Sequence, residues 1–185
     1  MRVISGEYRG RRLKAPAGGH VRPTSDRVRE AIFDILYSLG GVDGFQVADL
    51  FAGSGALGIE ALSRGAASVT FVERDPASIA AVRANLASAG LDDAEARGDA
   101  TVIRADVDSW VASTASRYDL VLCDPPYDYG GWESLVTRLP GDLVVLESGA
   151  ELPSVPGWVV LRSKRYGGTI VTVARPDRAS EKGVS

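Results

Sequence analysis

The sequence predicts an α/β protein: a mostly parallel seven-stranded sheet with helices on both faces, an antiparallel edge, and a small β-hairpin and helix ahead of it. Three observations carry this prediction. From residue 46 onward, short apolar runs of strand character alternate with segments of helical period, the pattern of a doubly wound sheet. The last two strand-like runs follow one another with no helix between them, which fits an antiparallel pair at the edge. A length of 185 residues, 45% hydrophobic and 24% charged, suits one folded domain.

The elements follow in order. Residues 2–5 and 11–14 are extended runs flanking Gly6-Glu7-Tyr8-Arg9-Gly10, which reads as a hairpin or loose ribbon. Residues 15–23 are a Pro/Gly loop. Over 25–39, Val28, Ala31, Ile32, Ile35, Leu36 and Leu39 recur at helical spacing, with Thr24 or Ser25 as N-cap and Gly40-Gly41 as the stop. Strand 46–51 and a glycine turn lead into helix 57–64, which Gly65 stops. Strand 68–73 precedes helix 76–89, whose first turn contains Pro76, where a missing N–H costs nothing. Strand 101–105, helix 107–115, strand 118–123, helix 132–139 and strand 143–147 continue the alternation. Residues 158–162 and 169–174 form the closing pair, joined through 164–168. The chain thus divides into a basic N-terminal extension (1–40), the main domain (41–175) and a polar, disordered tail (176–185).

Composition narrows the function. One cysteine, Cys123, excludes an internal disulfide and a cysteine-rich metal site. One histidine, His20, leaves a zinc centre or a Ser-His-Asp hydrolase only a single imidazole in a glycine-flanked loop. No metal is expected. No run approaches the roughly 20 apolar residues of a membrane span, and the first residues lack a signal-peptide core, so the expected location is the cytoplasm. The net charge is −3. Residues 1–30 hold eight basic and three acidic side chains, a local +5, which leaves −8 for the rest. A basic arm on an acidic body suits binding to a phosphate backbone. Its candidate contacts are Arg2, Arg9, Arg11, Arg12, Lys14 and Arg22. A smaller cluster, Arg162, Lys164 and Arg165, lies near the other end.

Asp49-Leu50-Phe51-Ala52-Gly53-Ser54-Gly55-Ala56-Leu57-Gly58 forms the first strand-to-helix turn. Its Gly-x-Gly-x-x-Gly spacing lets the backbone turn sharply and approach a ligand, with helix N–H donors behind it. Glu73 ends the next strand, where an acidic residue hydrogen-bonds a ribose. The fingerprint alone admits a nicotinamide or flavin enzyme and an S-adenosylmethionine enzyme. Asp49 separates them: a pyrophosphate disfavours a carboxylate there, whereas the cationic amino group of a methionine moiety attracts one.

Asp124-Pro125-Pro126-Tyr127 follows the fourth strand. The prolines remove two N–H donors and fix an extended turn, which leaves carbonyl oxygens to point into the crevice at the carboxyl end of the sheet, where open α/β folds bind ligands. Such a site suits a planar group bearing an exocyclic amine, its hydrogens held by Asp124 and a carbonyl and its ring stacked on Tyr127.

The two motifs, in this order and about 70 residues apart, resemble the cofactor and catalytic motifs of class I S-adenosylmethionine-dependent amino-methyltransferases, which have a Rossmann-like fold. The opening residues narrow the resemblance. Arg2-Val3-Ile4-Ser5-Gly6-Glu7-Tyr8-Arg9-Gly10-Arg11-Arg12-Leu13-Lys14, then Arg22-Pro23-Thr24 and the helix beginning at Asp26, are similar to the start of the bacterial RsmD family. Arg165-Tyr166-Gly167-Gly168-Thr169 extends the likeness towards the end, over about 175 residues. Members methylate the N2 amino group of guanine(966) in 16S ribosomal RNA.

The resemblance implies S-adenosyl-L-methionine as cofactor, 16S rRNA in a small ribosomal subunit as partner, and a monomer. It implies that Phe51, Ala52, Gly53, Ser54 and Gly55 cradle the methionine and ribose, and that Glu73 binds the ribose hydroxyls. Arg74 flanks the adenine, and Asp106 with the Val107 N–H binds the adenine edge, with Asp99 as a competitor. Arg22, Pro23 and Thr24 close over the methionine end or the base, and Asp124, Pro125, Pro126 and Tyr127 hold the guanine. Relatives acting on adenine or glutamine often carry Asn at the place of Asp124, and both amines present two hydrogens, so this residue alone does not select guanine.

Cys123 reads as a buried thiol, Trp110 and Trp158 as packing residues, and Tyr129 and Trp132 as surfaces against which a splayed base could lie. The rival functions are an amino-methyltransferase on DNA adenine N6 or protein glutamine, a catalytically silent RNA-binding module, and a nicotinamide oxidoreductase. The last leaves the Asp-Pro-Pro-Tyr turn unexplained.

Overall fold

In the computed structural model, residues 1–16, 25–152 and 157–177 are described. Helix α1 (Asp26–Ser38) starts at Ser25, whose hydroxyl accepts the Val28 N–H. Strand β1 (Gln46–Leu50) runs through the glycine turn into α2 (Ala56–Ser63), and β2 (Ser68–Glu73) follows. Helix α3 (Pro76–Ala89) is capped by Asp75, which accepts the Ser78 N–H, and is stopped by Gly90. A single turn, α4 (Ala94–Arg97), precedes β3 (Ala100–Arg104). Then come α5 (Val107–Ser113), β4 (Tyr118–Cys123), α6 (Trp132–Val136) and β5 (Gly141–Ser148). The long strands β6 (Trp158–Tyr166) and β7 (Thr169–Pro176) close the chain.

The strands form one seven-stranded sheet in the order β3-β2-β1-β4-β5-β7-β6. The first five are parallel, and β7 enters antiparallel between β5 and β6. The expected antiparallel edge is therefore present, as a hairpin folded back so that its second strand is the inner one. The chain winds outwards from β1 in one direction and from β4 in the other. The switch point between β1 and β4 opens a crevice at their carboxyl ends, and both sequence motifs leave the sheet there.

Helix α2 is buried along its whole length. A helix so predominantly apolar must be covered on all sides. The sheet covers one face through Val69 and Phe71. The N-terminal segment covers the other, with Val3, Leu13, Ile32, Phe33 and Leu36 in the same core cluster as Ile59 and Leu62. The hairpin is reduced to one bridge, Arg2 to Arg12, with flanking hydrogen bonds from Val3 N to Arg11 O and from Leu13 N to Met1 O. Its backbone is tied to α2 instead. The Glu60 carboxylate accepts the Ile4 and Ser5 N–H groups at 2.7 and 3.0 Å, Ser63 Oγ accepts the Tyr8 N–H, and the Ser63 carbonyl accepts the Glu7 N–H.

Three expectations change. Arg29, counted with the basic arm, is fully buried: it pairs with Asp26 at 3.0 Å, donates to the Arg2 carbonyl and faces the buried Glu60. Strand β6 runs to Tyr166, so Arg162, Lys164 and Arg165 lie in the edge strand and the turn is only Gly167-Gly168. Pro176, assigned to the tail, ends β7, and the Asp177 N–H bonds the Gly157 carbonyl. Arg22, Pro23, Thr24, His20 and residues 178–185 lie outside the described residues.

Candidate active site

Asp49 lies one residue before the end of β1 with its carboxylate buried in the turn, where Oδ2 accepts the Gly58 N–H at 2.9 Å. Burial raises its pKa well above the ordinary carboxyl value; the Gly58 N–H works against this, and Asp124 and Glu73 add to the rise. A cation beside it would relieve that burden. Gly55 caps α2 at φ +74°. At Gly58 a Cβ would stand 2.4 Å from the Phe71 ring and 2.8 Å from Val69, so the helix seats against β2 only because no side chain intervenes. Phe51 is held at φ +59°, a region costly for a bulky residue, with its ring edge-on to Tyr129 at 5.3 Å.

Glu73 stands opposite the turn. One carboxylate oxygen accepts the Gly53 N–H at 2.9 Å, and the other accepts those of Arg74 and Asp75. It therefore fastens the glycine turn to the end of β2, and the oxygen that accepts the Gly53 N–H keeps a further lone-pair direction for a hydroxyl. Arg74, largely exposed, reaches Asp106 at 3.8 Å. Asp106 caps α5 through the Ser109 N–H, which places the Val107 N–H in the first turn beside it. Asp99, the competitor, is instead engaged by Arg97.

Asp124 leaves β4 beside the end of β1: Leu50 is in register with Cys123, and the Asp124 N–H points at the Leu50 carbonyl at 3.5 Å. Pro125 is buried and Pro126 exposed. The Pro126 carbonyl, expected to face the crevice, accepts the Tyr129 N–H at 2.9 Å and closes a turn. Tyr127 is 63% exposed, and its hydroxyl is 3.0 Å from Thr169 Oγ1. Its ring lies over Gly149, where a Cβ would come within 2.9 Å of it. A small cleft results, lined by Asp124, Pro125, Pro126, Tyr127, Trp132 and Glu147 among others.

Tyr129 is a packing residue more than a free face. It meets Phe51 and Trp132 edge-on, and its hydroxyl donates to Asp108 at 2.6 Å. Burial and that carboxylate push its pKa up. It thus buttresses the glycine turn against the segment after Tyr127. Trp132 does line the cleft. Cys123 is buried, and burial together with the surrounding acids raises its pKa, so the thiol is inert. Trp110 packs against Tyr118 at 6.0 Å.

The comparisons with known proteins meet this geometry. The family model described as "Conserved hypothetical protein 95" matches residues 1–175. The chain is 39% identical to "Putative rRNA methyltransferase YlbH" of Bacillus subtilis, over 94% of this chain and 97% of that one. It is 37% identical to "Ribosomal RNA small subunit methyltransferase D" of Escherichia coli, over 90% of this chain and 85% of that one. The solved "Putative methyltransferase yhhF" from Escherichia coli superposes with a TM-score of 0.80 at 34% identity, covering 96% of this chain and 98% of that one.

The chain belongs to the RsmD family.

Its fold is the Rossmann-like fold of class I methyltransferases, and the resemblance drawn from the motifs holds along almost the whole chain. Within this RsmD-family architecture the structure draws together Asp49, 51–55, Glu73 and the Asp124-Pro125-Pro126-Tyr127 turn. Arg74, Asp106 and Val107 lie further along the β2–β3 side. Arg2, Arg9, Arg11, Arg12 and Lys14 are all exposed on the ribbon that covers α2.

Sequence reasoning passed over two residues of the site. Asn85, buried on α3, binds the turn and the ribbon at once: Nδ2 donates to the Ser54 and Lys14 carbonyls, and Oδ1 accepts the Lys14 N–H, each at 2.8 Å. A polar residue in the apolar row Ile79, Val82, Leu86 and Ala89 was the available signal. The other is Glu147, a 4% exposed carboxylate at the end of β5 that lines the cleft. Its signal was a charge ending an apolar strand, as with Asp49.

Proposed function

We propose that this protein transfers a methyl group from S-adenosyl-L-methionine to the exocyclic N2 amino group of one guanine in 16S rRNA, presented by the small ribosomal subunit in the cytoplasm. The observation that carries the reading is the meeting of two turns at one switch point. The buried Asp49 and the glycine turn lie at the end of β1, and Asp124 lies at the end of the neighbouring β4. The names of the relatives, an rRNA methyltransferase and a small-subunit rRNA methyltransferase, agree with it.

The donor set fits the cofactor. Asp49 offers a carboxylate to a cationic amino group, Glu73 offers an acceptor to a ribose hydroxyl, and Asp106 with the Val107 N–H matches an adenine edge. When bound, the cofactor supplies an electrophilic methyl group. The chain's own residues then act by positioning. Asp124 accepts a hydrogen bond from the base amine and turns its lone pair towards the methyl. Pro125 brings no N–H to compete. Tyr127, held by Thr169, offers its ring to the base plane. A base paired inside a helix cannot reach this cleft, so the target is a loop or flipped nucleotide. The exposed arginines of the ribbon grip backbone phosphates.

Asp124→Ala tests the reading. It should reduce methyl transfer to unmodified small subunits by at least about a hundredfold, the scale of losing a positioned polar contact to the reacting group, while cofactor affinity by calorimetry stays unchanged. Full transfer by the variant would overturn the assignment of the cleft.

A further inference from the structure

Asp124 alone does not distinguish guanine from other amine-bearing bases, because every such amine offers two hydrogens. The fold places a second carboxylate beside it. Cys123 of β4 is in register with Leu146 of the neighbouring parallel strand β5. The next residues, Asp124 just past β4 and Glu147 near the end of β5, therefore stand level with one another. Side chains alternate along a strand, and Leu122 and Val145 both belong to the core layer on the α2 side, so Asp124 and Glu147 share that face. Both acids are among those whose charge, after burial itself, raises the pKa of the buried Cys123. Glu147 is 4% exposed, yet it lines the same cleft as Asp124, Pro125, Pro126 and Tyr127.

We propose that Glu147 is the specificity-determining residue of the cleft: its carboxylate accepts the N1–H of the target purine next to the N2 amine held by Asp124. The proposal rests on reading the cleft as the site of amine methylation. Guanine presents N1–H and N2–H as adjacent donors, a pattern that two level carboxylates complement. Adenine presents a lone pair at N1 beside its amine, and Glu147 would face it with like polarity. A buried carboxylate set against a lone pair gains no hydrogen bond from the base and repels it, so discrimination comes from rejection as well as attraction.

The test uses small subunits reconstituted from ligated 16S RNA that carries either guanine or 2-aminopurine at the methylated position. 2-Aminopurine keeps the 2-amine but has a lone pair at N1. The wild-type protein should methylate the guanine subunits about a hundredfold faster, the scale of one charge-assisted hydrogen bond. Glu147→Gln should lose at least about tenfold on guanine and should narrow the guanine-to-2-aminopurine ratio by about tenfold, because its amide can donate to N1. The missing 6-oxo group affects both proteins alike and cancels in that comparison. A merely structural role would slow both substrates equally and leave the ratio unchanged, and that result would overturn the proposal. Should the variant fail to fold, equal rates of the wild-type protein on the two substrates would overturn it alone. No transfer to guanine subunits by the wild type would overturn the reading of the cleft itself, a distinct failure.

Discussion

Asn85 donates a 2.8 Å hydrogen bond to the Ser54 carbonyl, joining the middle of α3 to the glycine turn. The same side-chain amide closes a reciprocal pair with the backbone of Lys14. One buried residue therefore holds the glycine turn and the basic ribbon in a fixed relation. Asn85→Ala would leave two carbonyls and one N–H without this partner, at a cost of about 1–3 kcal/mol for each group that stays buried. The expected outcome is a lower denaturation midpoint together with cofactor affinity reduced about tenfold. A variant matching the wild type in both measurements would show that the tie is idle.

On the proposed reading, Asp49 should make cofactor binding pH-dependent. Its pKa in the fold is raised by burial above the ordinary value of 3.8. The fold thus holds a proton that the unfolded chain has lost, and this contribution to stability is full below pH 3.8 and fades as pH rises through the raised value. A bound ammonium group favours the ionised form instead. At pH values below that raised value, where the free protein still holds the proton, cofactor binding should release it and tighten as pH rises. Titration calorimetry in buffers of different ionisation enthalpy detects that proton. Asp49→Asn should abolish the release, and buffer-independent heats from the wild type would contradict the role.

Gly58 is required for its lack of a side chain. A methyl group there meets the Phe71 ring inside a filled core. Gly58→Ala should destabilise the protein by about 1–3 kcal/mol, the usual range for overpacking. Urea denaturation checks it, and an unchanged midpoint would mean that α2 can move off β2 without penalty.

On the proposed reading, the ribbon arginines bind RNA through charge. Replacing Arg9, Arg11 and Arg12 together with Gln should weaken RNA binding and flatten the plot of log affinity against log salt by about 0.7–0.9 for each phosphate no longer neutralised. An unchanged slope would place the RNA-binding surface elsewhere.

Strands and motifs were legible because each rests on local chemistry. Apolar runs such as Val69, Phe71 and Val72 can only be buried strand, and the turns after β1 and β4 carry the residues that a ligand-approaching backbone requires. The residues missed are polar groups whose partners are distant in sequence. Arg29 looks like one more surface charge, yet it lies three and four positions before Ile32 and Phe33 on the buried stripe of α1. Glu60 sits within an otherwise apolar α2 and pairs with backbone from the ribbon. The reading of 1–30 as one charged arm fails at Arg29 for this reason. Helix α4 escaped because four residues are too short to show a period.

The most direct test of the central claim is transfer of labelled methyl from S-adenosylmethionine to small ribosomal subunits lacking the modification, with naked 16S RNA and duplex DNA in parallel, followed by digestion and identification of the labelled nucleoside by mass. Label should appear in the 16S RNA of the subunit, as N2-methylguanosine from a single site. Label in N6-methyladenosine or in DNA, or none in RNA while the cofactor still binds, would contradict that claim.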